Sequence, residues 1–328
     1  MKEQIKHFPD QLIEALELAS KIKKTTSKEE IHNIHLVGLG GSGIGANFVS
    51  EFIRPHCKLP FSVSKGYSIP AFVGKNTLAI ASSYSGNTEE TLACLEQMIQ
   101  SGAKVIGISS GGRMQELLEK NNCDFIPLPE GKPAPRACLG YSLVQQIGIL
   151  VQWGFVPSTL LEEIHTSALM LKAEQDQICD RAHQIAGVLD TKLPVIYATR
   201  RMEPVAVRFR QQLNENSKML AWHHVIPEMN HNELVGWRSN HNDKAVVFLR
   251  NRDDFPRNQK RIEIIKEVIG NFSSSLIDIY SRGNSLIQQS MYLVHLLDWV
   301  SVYIADNRGV DAMEIKVIDY LKSSLSDS

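Results

Sequence analysis

Short apolar runs alternate with longer amphipathic stretches along the first half of the chain, and this alternation restricts the possible folds more than any other feature. The short runs have the length of buried strands, and the stretches between them have the length of helices. Strands are predicted near 34–38, 60–64, 77–82, 104–109 and 124–128, and helices near 8–24, 43–54, 88–101, 113–121 and 137–153. This order predicts an α/β fold whose parallel sheet is flanked by helices.

The second half of the chain repeats the same order after a long helical stretch at about 158–188. Strands are predicted at 195–198, 219–222, 245–249 and 275–280, and helices at 203–213, 256–269, 285–307 and 312–324. A chain of 328 residues is also long enough for about two domains. We therefore predict two tandem α/β domains, one over 1–155 and the other over 156–328.

Three hydroxyl side chains, those of Ser83, Ser85 and Thr88, crowd the loop that follows the predicted strand at 77–82. We call residues 83–88 the serine loop. A helix is predicted directly after it, so free backbone N–H groups and the positive end of a helix dipole favour an anion there. A simple helix N-cap needs only one hydroxyl group. We therefore interpret the serine loop as a binding site for the phosphate of a reversibly bound ligand.

A second loop, residues 38–43, follows the first predicted strand and contains four glycines. This glycine loop fits the G-x-G-x-x-G fingerprint of dinucleotide-binding proteins, which expects an acidic residue at the end of the next strand. That strand ends at Lys65, with no Asp or Glu in place, so a nicotinamide cofactor is disfavoured. A phosphate or sugar, with Ser42 as a donor, explains the loop better. Because the two loops follow parallel strands, they should converge at one edge of the sheet.

Three charged or titratable residues could take part in a reaction. Arg136 opens a predicted helix, where its charge opposes the dipole, so it either contacts a substrate oxygen or phosphate or pairs with a carboxylate at the surface. Glu215 lies between two asparagines at a helix–strand junction, either as an oriented general base or simply as a helix end. His231 lies in a short polar segment and could move protons near neutral pH.

Composition excludes several classes of function. The 35 basic and 36 acidic residues give a net charge of −1, which argues against binding to nucleic acid. The apolar stretches are too short or too amphipathic for a membrane span, and the N-terminus lacks the apolar core of a signal peptide. Five cysteines without a C-x-x-C pair indicate free thiols in a reducing cytoplasm. The spacing of His223, His224 and Glu228 matches no usual zinc site, so no metal is predicted.

Together these motifs resemble the sugar isomerase domain (SIS) family, and within it the bifunctional phosphoglucose/phosphomannose isomerase branch. Residues 40–43 and 83–91 carry the resemblance to the wider family, and residues 134–136, 214–216 and 227–232 carry the resemblance to the branch. The resemblance runs through nearly the whole chain. It implies two flavodoxin-like domains, a small sugar phosphate as substrate, no cofactor, and a homodimer.

The resemblance also implies a role for each candidate residue. The substrate-binding residues would be Gly41, Ser42, Ser83, Ser85 and Thr88. The hydroxyl groups of the serines and of Thr88 would hold the 6-phosphate, while Glu215 would move a proton between C1 and C2 of the sugar and Arg136 would stabilise the enediolate. His231, from the same chain or from the partner subunit, and Lys322 in the closing helix would assist ring opening.

The substrate and even the activity stay open at the level of sequence. Some relatives have a threonine where this chain has Ile315, which makes activity on mannose 6-phosphate less expected than activity on glucose 6-phosphate. An isomerase of another phosphosugar would use the same loops. A non-catalytic sugar-phosphate sensor is a further alternative, although the chain lacks a helix-turn-helix segment and a basic patch.

Overall fold

A computed structural model describes residues 1–23 and 30–326. By its contacts the chain forms two compact units. The N-terminal unit comprises Lys6–Lys172 and Ser285–Gln288, and the C-terminal unit comprises Met1–Ile5, Ala173–Asn284 and the residues from Gln289 onward. The helix that ends near Lys172 thus belongs by its contacts to the N-terminal unit, and the division into domains at residues 155 and 156 stays a prediction.

The strands predicted near 34–38, 60–64, 77–82, 104–109 and 124–128 are all present, and a helix lies between each pair of successive strands except the second and third. The elements are α1 (Lys2–Lys6), α2 (Phe8–Ala19), β1 (Asn33–Val37), α3 (Gly40–Ile53), β2 (Phe61–Ser64), β3 (Thr77–Ser82), α4 (Glu89–Gln100), β4 (Lys104–Ser109), α5 (Gly112–Lys120), β5 (Asp124–Pro127), α6 (Leu139–Gln152) and α7 (Thr159–Ala173). The first long helix, α2, ends at Ala19 rather than at 24, and residue 24 itself lies outside the described residues.

The first sheet has five parallel strands in the order β2-β1-β3-β4-β5. The order reverses between β1 and β3, because the chain leaves β1 toward one edge and later continues from β3 toward the other. In open α/β sheets, ligands bind beyond the carboxyl ends of the strands at such a reversal. The glycine loop follows β1 and the serine loop follows β3, so both predicted loops lie at this position.

The core of the N-terminal unit forms around β3 and α6. All six residues of β3 are buried, as expected for a central parallel strand covered on both faces. Helix α6 is buried along almost its whole length and packs against α2 and α3. The side chain of Gln11 on α2 donates to the carbonyl oxygen of Ala137 at 2.8 Å and accepts from the N–H of Gly140 at 2.8 Å. Each fully buried leucine or isoleucine in this core contributes roughly 1.5–3 kcal/mol.

The C-terminal half repeats the architecture. Its elements are α8 (Gln175–Leu189), β6 (Leu193–Thr199), α9 (Glu203–Glu215), β7 (Trp222–Ile226), β8 (Lys244–Arg250), α10 (Pro256–Gly270), β9 (Leu276–Tyr280), α11 (Leu286–Asn307) and α12 (Lys316–Ser326). The second sheet has four parallel strands in the order β7-β6-β8-β9, which matches the order of the first four strands of the first sheet. The α/β fold class with two parallel, helix-flanked sheets is therefore confirmed.

Three further predicted elements differ from the observed ones. The strand predicted at 219–222 was wrong, since β7 begins at Trp222, Lys218 has a positive φ of 54°, and the side chain of Leu220 is 80% exposed. The apolar residues there resemble a strand in sequence, although residues 218–221 have no regular secondary structure. The long helix predicted at 158–188 is two helices, α7 and α8, and the final helix begins at Lys316 rather than 312. None of the helices in the described ranges is both long and apolar enough to cross a membrane.

Candidate functional site

The glycine loop passes so close to its neighbours that side chains are excluded at two positions. A Cβ at Gly38 would lie 2.8 Å from the carbonyl oxygen of Ser82 at the end of β3, and one at Gly43 would lie 2.5 Å from the carbonyl oxygen of Gly38. Helix α3 begins inside this loop, and Ser42 in its first turn is only 5% exposed. The first backbone N–H groups of α3 therefore lie beside the end of β3.

The serine loop is fixed by hydrogen bonds and by one glycine. The backbone N–H of Ser83 donates to the carbonyl oxygen of Ile108 at 3.0 Å, and the hydroxyl oxygens of Ser83 and Thr88 are 2.8 Å apart. Gly86 has a φ of 68°, and a Cβ there would lie 1.8 Å from the carbonyl oxygen of Gly111, so only glycine fits. Ser83 is buried, Ser85 is exposed and Thr88 is partly exposed at the start of α4.

Arg136 lies against the glycine loop. It sits in a short 3-10 turn, Pro135–Ala137, directly before α6, and only 7% of its surface is exposed. A Cβ at Gly41 would lie 3.2 Å from the carbonyl oxygen of Pro135 and 3.8 Å from the Cα of Arg136. A guanidinium group that is removed from water in this way is costly unless it interacts with acceptors or anions. The N-terminal unit thus brings Arg136, Gly41 and Ser42 together.

Tyr84 connects the serine loop to the segment that leads to Arg136. Its hydroxyl group donates to the carbonyl oxygen of Pro129 at 2.7 Å and accepts from the N–H of Lys132 at 3.2 Å. Burial raises the pKa of Tyr84 to about 12, so the phenol remains a donor even at an alkaline pH at which an exposed tyrosine ionises. This contact spans more than 40 residues of sequence, and no local pattern of residues could have predicted it.

In the C-terminal unit, Glu215 is the last residue of α9, and its neighbours fix that helix end. The amide of Asn216 donates to the hydroxyl oxygen of Ser301 on α11 at 2.9 Å, and the amide of Asn214 donates to the carbonyl oxygen of Met219 at 2.8 Å. The sequence identified the flanking amides, and the structure supplies their partners. A cleft of about 340 Å³ opens beside this helix end. Its lining residues are Asn214, Glu215, Lys218, Met219, Leu220, Glu314, Ile315, Val317 and Ile318.

A buried ion pair ties the middle of α9 to α11 as well. The guanidinium group of Arg208 donates to both carboxylate oxygens of Asp298, at 3.1 Å and 2.5 Å. Burial raises the pKa of Asp298, while the charge of Arg208 acts in the opposite direction. A bidentate pair of this kind fixes the two helices in one register. The position of α9, which ends at Glu215, therefore depends on this ion pair as well as on the contacts at the helix end.

His231 is exposed at the end of a 3-10 turn, Glu228–His231. Two residues further along the chain, Glu233 fixes this segment by hydrogen bonds. The carboxylate of Glu233 accepts from the hydroxyl of Tyr197, from the indole N–H of Trp222 at 3.2 Å and from Nδ1 of His224 at 2.7 Å. Sequence reasoning missed this role of Glu233. Within the described ranges, no three His, Cys, Asp or Glu side chains converge as a metal site.

Lys322 lies on α12, where all side chains from 316 to 325 are exposed. It follows Ile318 by one helical turn, so both residues share one face of α12. Ile318 and Ile315 line the cleft beside Glu215. The C-terminal unit thus places the helix of Lys322 next to the cleft that contains Glu215.

Comparison with known proteins identifies the fold and the family. A family model described as "Bacterial phospho-glucose isomerase C-terminal SIS domain" matches residues 178–325. Among solved structures, the C-terminal domain of glucosamine-fructose-6-phosphate aminotransferase from Francisella tularensis superposes with a TM-score of 0.76 at 16% identity, covering 95% of this chain and 97% of that one. The chain therefore contains a sugar isomerase domain at residues 178–325, and the solved structure shares the fold of nearly the whole chain.

Two curated relatives cover most of the chain. A protein named "Bifunctional phosphoglucose/phosphomannose isomerase" from Caldicellulosiruptor bescii is 37% identical over 100% of this chain and 99% of its own length. A protein of the same name from Aquifex aeolicus is 34% identical over 88% of each chain. The chain belongs to the bifunctional phosphoglucose/phosphomannose isomerase family.

Proposed function

We propose that this chain is an aldose–ketose isomerase that interconverts glucose 6-phosphate and fructose 6-phosphate through an enediolate, with mannose 6-phosphate as a second aldose. The main support for the proposal is the sequence identity of 37%, over the full length of this chain, with a relative named "Bifunctional phosphoglucose/phosphomannose isomerase". The two loops and Arg136, brought together at the carboxyl edge of the first sheet, support it independently.

The proposed phosphate site consists of Gly41, Ser42, Ser83, Ser85 and Thr88. Two helix N-termini, those of α3 and α4, begin at these loops, and helix N-termini favour anions. The hydroxyl groups add donors without adding charge. Binding energy from the phosphate, which lies far from the reacting carbons, can be used to orient the sugar for reaction.

The proposed reaction needs a base that removes a weakly acidic proton beside a carbonyl group. Glu215 is assigned this role, because its helix end is fixed by contacts from both flanking asparagines. A positioned base contributes roughly 10²- to 10⁴-fold to the rate. Arg136 is assigned to the developing enediolate oxygen, where a buried cation acts more strongly than one in water.

Ring opening requires proton transfer to the ring oxygen and from the C1 hydroxyl. His231 and Lys322 are assigned these transfers, since both are exposed and can reach a bound ligand.

We also propose a homodimer in the cytoplasm, in which His231 acts in its own site or in that of the partner. Sedimentation of the purified chain would measure the number of subunits.

The first experiment is incubation with fructose 6-phosphate after treatment with a chelator, with glucose 6-phosphate and mannose 6-phosphate measured separately. We expect both products, with less mannose 6-phosphate because Ile315 replaces a threonine of some relatives. Tight binding of fructose 6-phosphate without either product would contradict the proposal and favour a sugar-phosphate sensor. Turnover of a different phosphosugar alone would assign the chain to another isomerase reaction.

A further inference from the structure

Lys218, in the turn that follows the proposed base Glu215, has an unusual backbone conformation. Among the described residues, only Asn122 and Lys218 are non-glycine residues with a positive φ, and that of Lys218 is 54°. This left-handed conformation costs free energy for a residue with a Cβ, and glycine or asparagine is the usual choice. A lysine at this position therefore needs contacts that offset this cost.

The side chain of Lys218 joins two separate segments of the C-terminal unit. Its Nζ donates to the carbonyl oxygen of Glu215 at 2.5 Å and to the carbonyl oxygen of Glu314 at 2.6 Å. The first acceptor is one of the carbonyl groups that a helix leaves without an intrahelical partner at its C-terminus, where a cation is also favoured by the dipole. The second acceptor lies two residues before α12 begins.

Helix α12 depends on such contacts at its start, because it buries little surface of its own. All of its side chains from 316 to 325 are exposed, including Val317 at 81% and Tyr320 at 75%. An exposed helix of 11 residues is close to the limit at which isolated helices are stable in water. At this end of α12 the structure shows three constraints: the hydrogen bond from Lys218 to the carbonyl oxygen of Glu314, the hydrogen bond from the N–H of Lys316 to the carboxylate of Glu314, and the packing of Ile315 in the cleft.

We propose that Lys218 is a positioning residue: its ammonium group ties the backbone of Glu215 to the start of α12, and so keeps the proposed base and Lys322 in one site. The inference rests on the proposed function for the roles of Glu215 and Lys322. Lys218 itself transfers no proton in this scheme. Misplacement of a catalytic group by about 1 Å can lower the rate about 10²-fold, so a tether of this kind affects turnover more than binding.

The test compares three substitutions at Lys218 with one control. Lys218→Met removes the donor and keeps the stem, Lys218→Arg keeps a cation, and Lys218→Gly relieves the backbone strain without providing a tether. The control, Lys316→Met, removes an exposed lysine from the first position of α12. For each variant we would measure kcat and KM for fructose 6-phosphate, the midpoint of thermal unfolding, and amide hydrogen exchange of residues 316–326.

We expect Lys218→Met and Lys218→Gly to lower kcat by about 10- to 100-fold with KM within threefold of the wild type. Exchange of residues 316–326 should become at least about tenfold faster in both, as expected for a helix that opens more often. Lys218→Arg should restore most of kcat, and Lys316→Met should match the wild type. The thermal midpoint of Lys218→Gly should be at or above that of Lys218→Met.

Two results would overturn the inference. If Lys218→Gly had the kcat of the wild type, residue 218 would be needed only for the backbone conformation of the turn and not as a tether. If exchange of residues 316–326 were unchanged in Lys218→Met, no tether would exist. A wild-type chain without isomerase activity would count against the proposed function instead, and the exchange measurement would still decide whether Lys218 holds α12.

Discussion

The hydroxyl groups of Ser83 and Thr88 are hydrogen-bonded to each other at 2.8 Å across the serine loop. The pair links the end of β3 to the start of α4, and it leaves further donor and acceptor positions on both oxygens for a ligand. The two residues therefore act together, and the effects of replacing them should not be independent.

Ser83→Ala and Thr88→Ala should each raise KM for fructose 6-phosphate about 10- to 150-fold, because a hydrogen bond to a charged group contributes roughly 1.5–3 kcal/mol. The double variant should lose less than the product of the two effects, since each substitution already breaks the shared bond. Steady-state kinetics on the four proteins measures this coupling. Ser68→Ala, at an exposed position, is the control, and strictly multiplicative effects would contradict the prediction.

Gly86→Ala should disrupt the serine loop, because the added Cβ would overlap the carbonyl oxygen of Gly111 and the φ of 68° is unfavourable for alanine. We expect a loss of roughly 2–4 kcal/mol in the free energy of unfolding and a loss of fructose 6-phosphate binding. Gly66→Ala is the matched control, since nothing lies within 4 Å of a Cβ at that position. Thermal unfolding and calorimetric titration would measure both effects, and a stable, ligand-binding Gly86→Ala variant would show that the loop can rearrange.

Glu215→Gln should reduce kcat by about 10²- to 10⁴-fold while leaving the binding of fructose 6-phosphate within a few-fold of the wild type. The amide has nearly the shape of the carboxylate but cannot accept the proton. Glu267→Gln, an exposed substitution in the same unit, controls for the loss of one negative charge. Near-normal turnover would remove Glu215 from its assignment as the base.

Stability should fall as the pH drops below about 6.5, in part because of His35. Its ring is fully buried on β1, with Nδ1 2.8 Å from the hydroxyl of Ser62 and the ring edge against Phe72. Burial lowers the pKa of His35 to about 4, so the unfolded chain binds a proton between pH 6.5 and 4 that the folded chain does not bind. The stabilisation is therefore complete above pH 6.5 and is lost toward pH 4, by up to about 3 kcal/mol.

The variant His35→Asn, which cannot titrate in this range, should lose less stability than the wild type between pH 7 and pH 4.5. Thermal unfolding at the two pH values would measure the difference. His56→Asn, which removes an exposed histidine, is the control and should follow the wild type. Parallel curves for His35→Asn and the wild type would mean that His35 does not carry this pH dependence.

The sequence predicted those features that depend on residues close together in the chain. The alternation of strands and helices follows from local periodicity, and the hydroxyl groups of the serine loop follow one strand directly. Other contacts join residues that lie far apart in the chain or on different elements. These are the hydrogen bonds between His224 and Glu233, between Tyr84 and Lys132, and between Lys218 and Glu314. Such contacts become visible only when the fold brings their partners together.

The wrong prediction of a strand at 219–222 also arose because it used only local sequence. Residues 219–222 are apolar, and local hydrophobicity alone could not show that Leu220 stays exposed while Met219 is nearly buried. The observed strand contains two histidines, His223 and His224, which lower its apparent hydrophobicity. Their positions in β7 are set by pairing with β6, in which Ile196 lies opposite His223 and Tyr197 opposite His224.

The packing of α6 on α2 has a consequence for synthesis of the chain on the ribosome. The side chain of Gln11 reaches the backbone at Ala137, which is translated 126 residues later. At typical rates of 5–20 residues per second, roughly 6–25 seconds pass between the synthesis of α2 and the synthesis of the helix that covers its apolar face. Nascent chains of this length therefore expose Leu12 and Ala15 until α6 emerges.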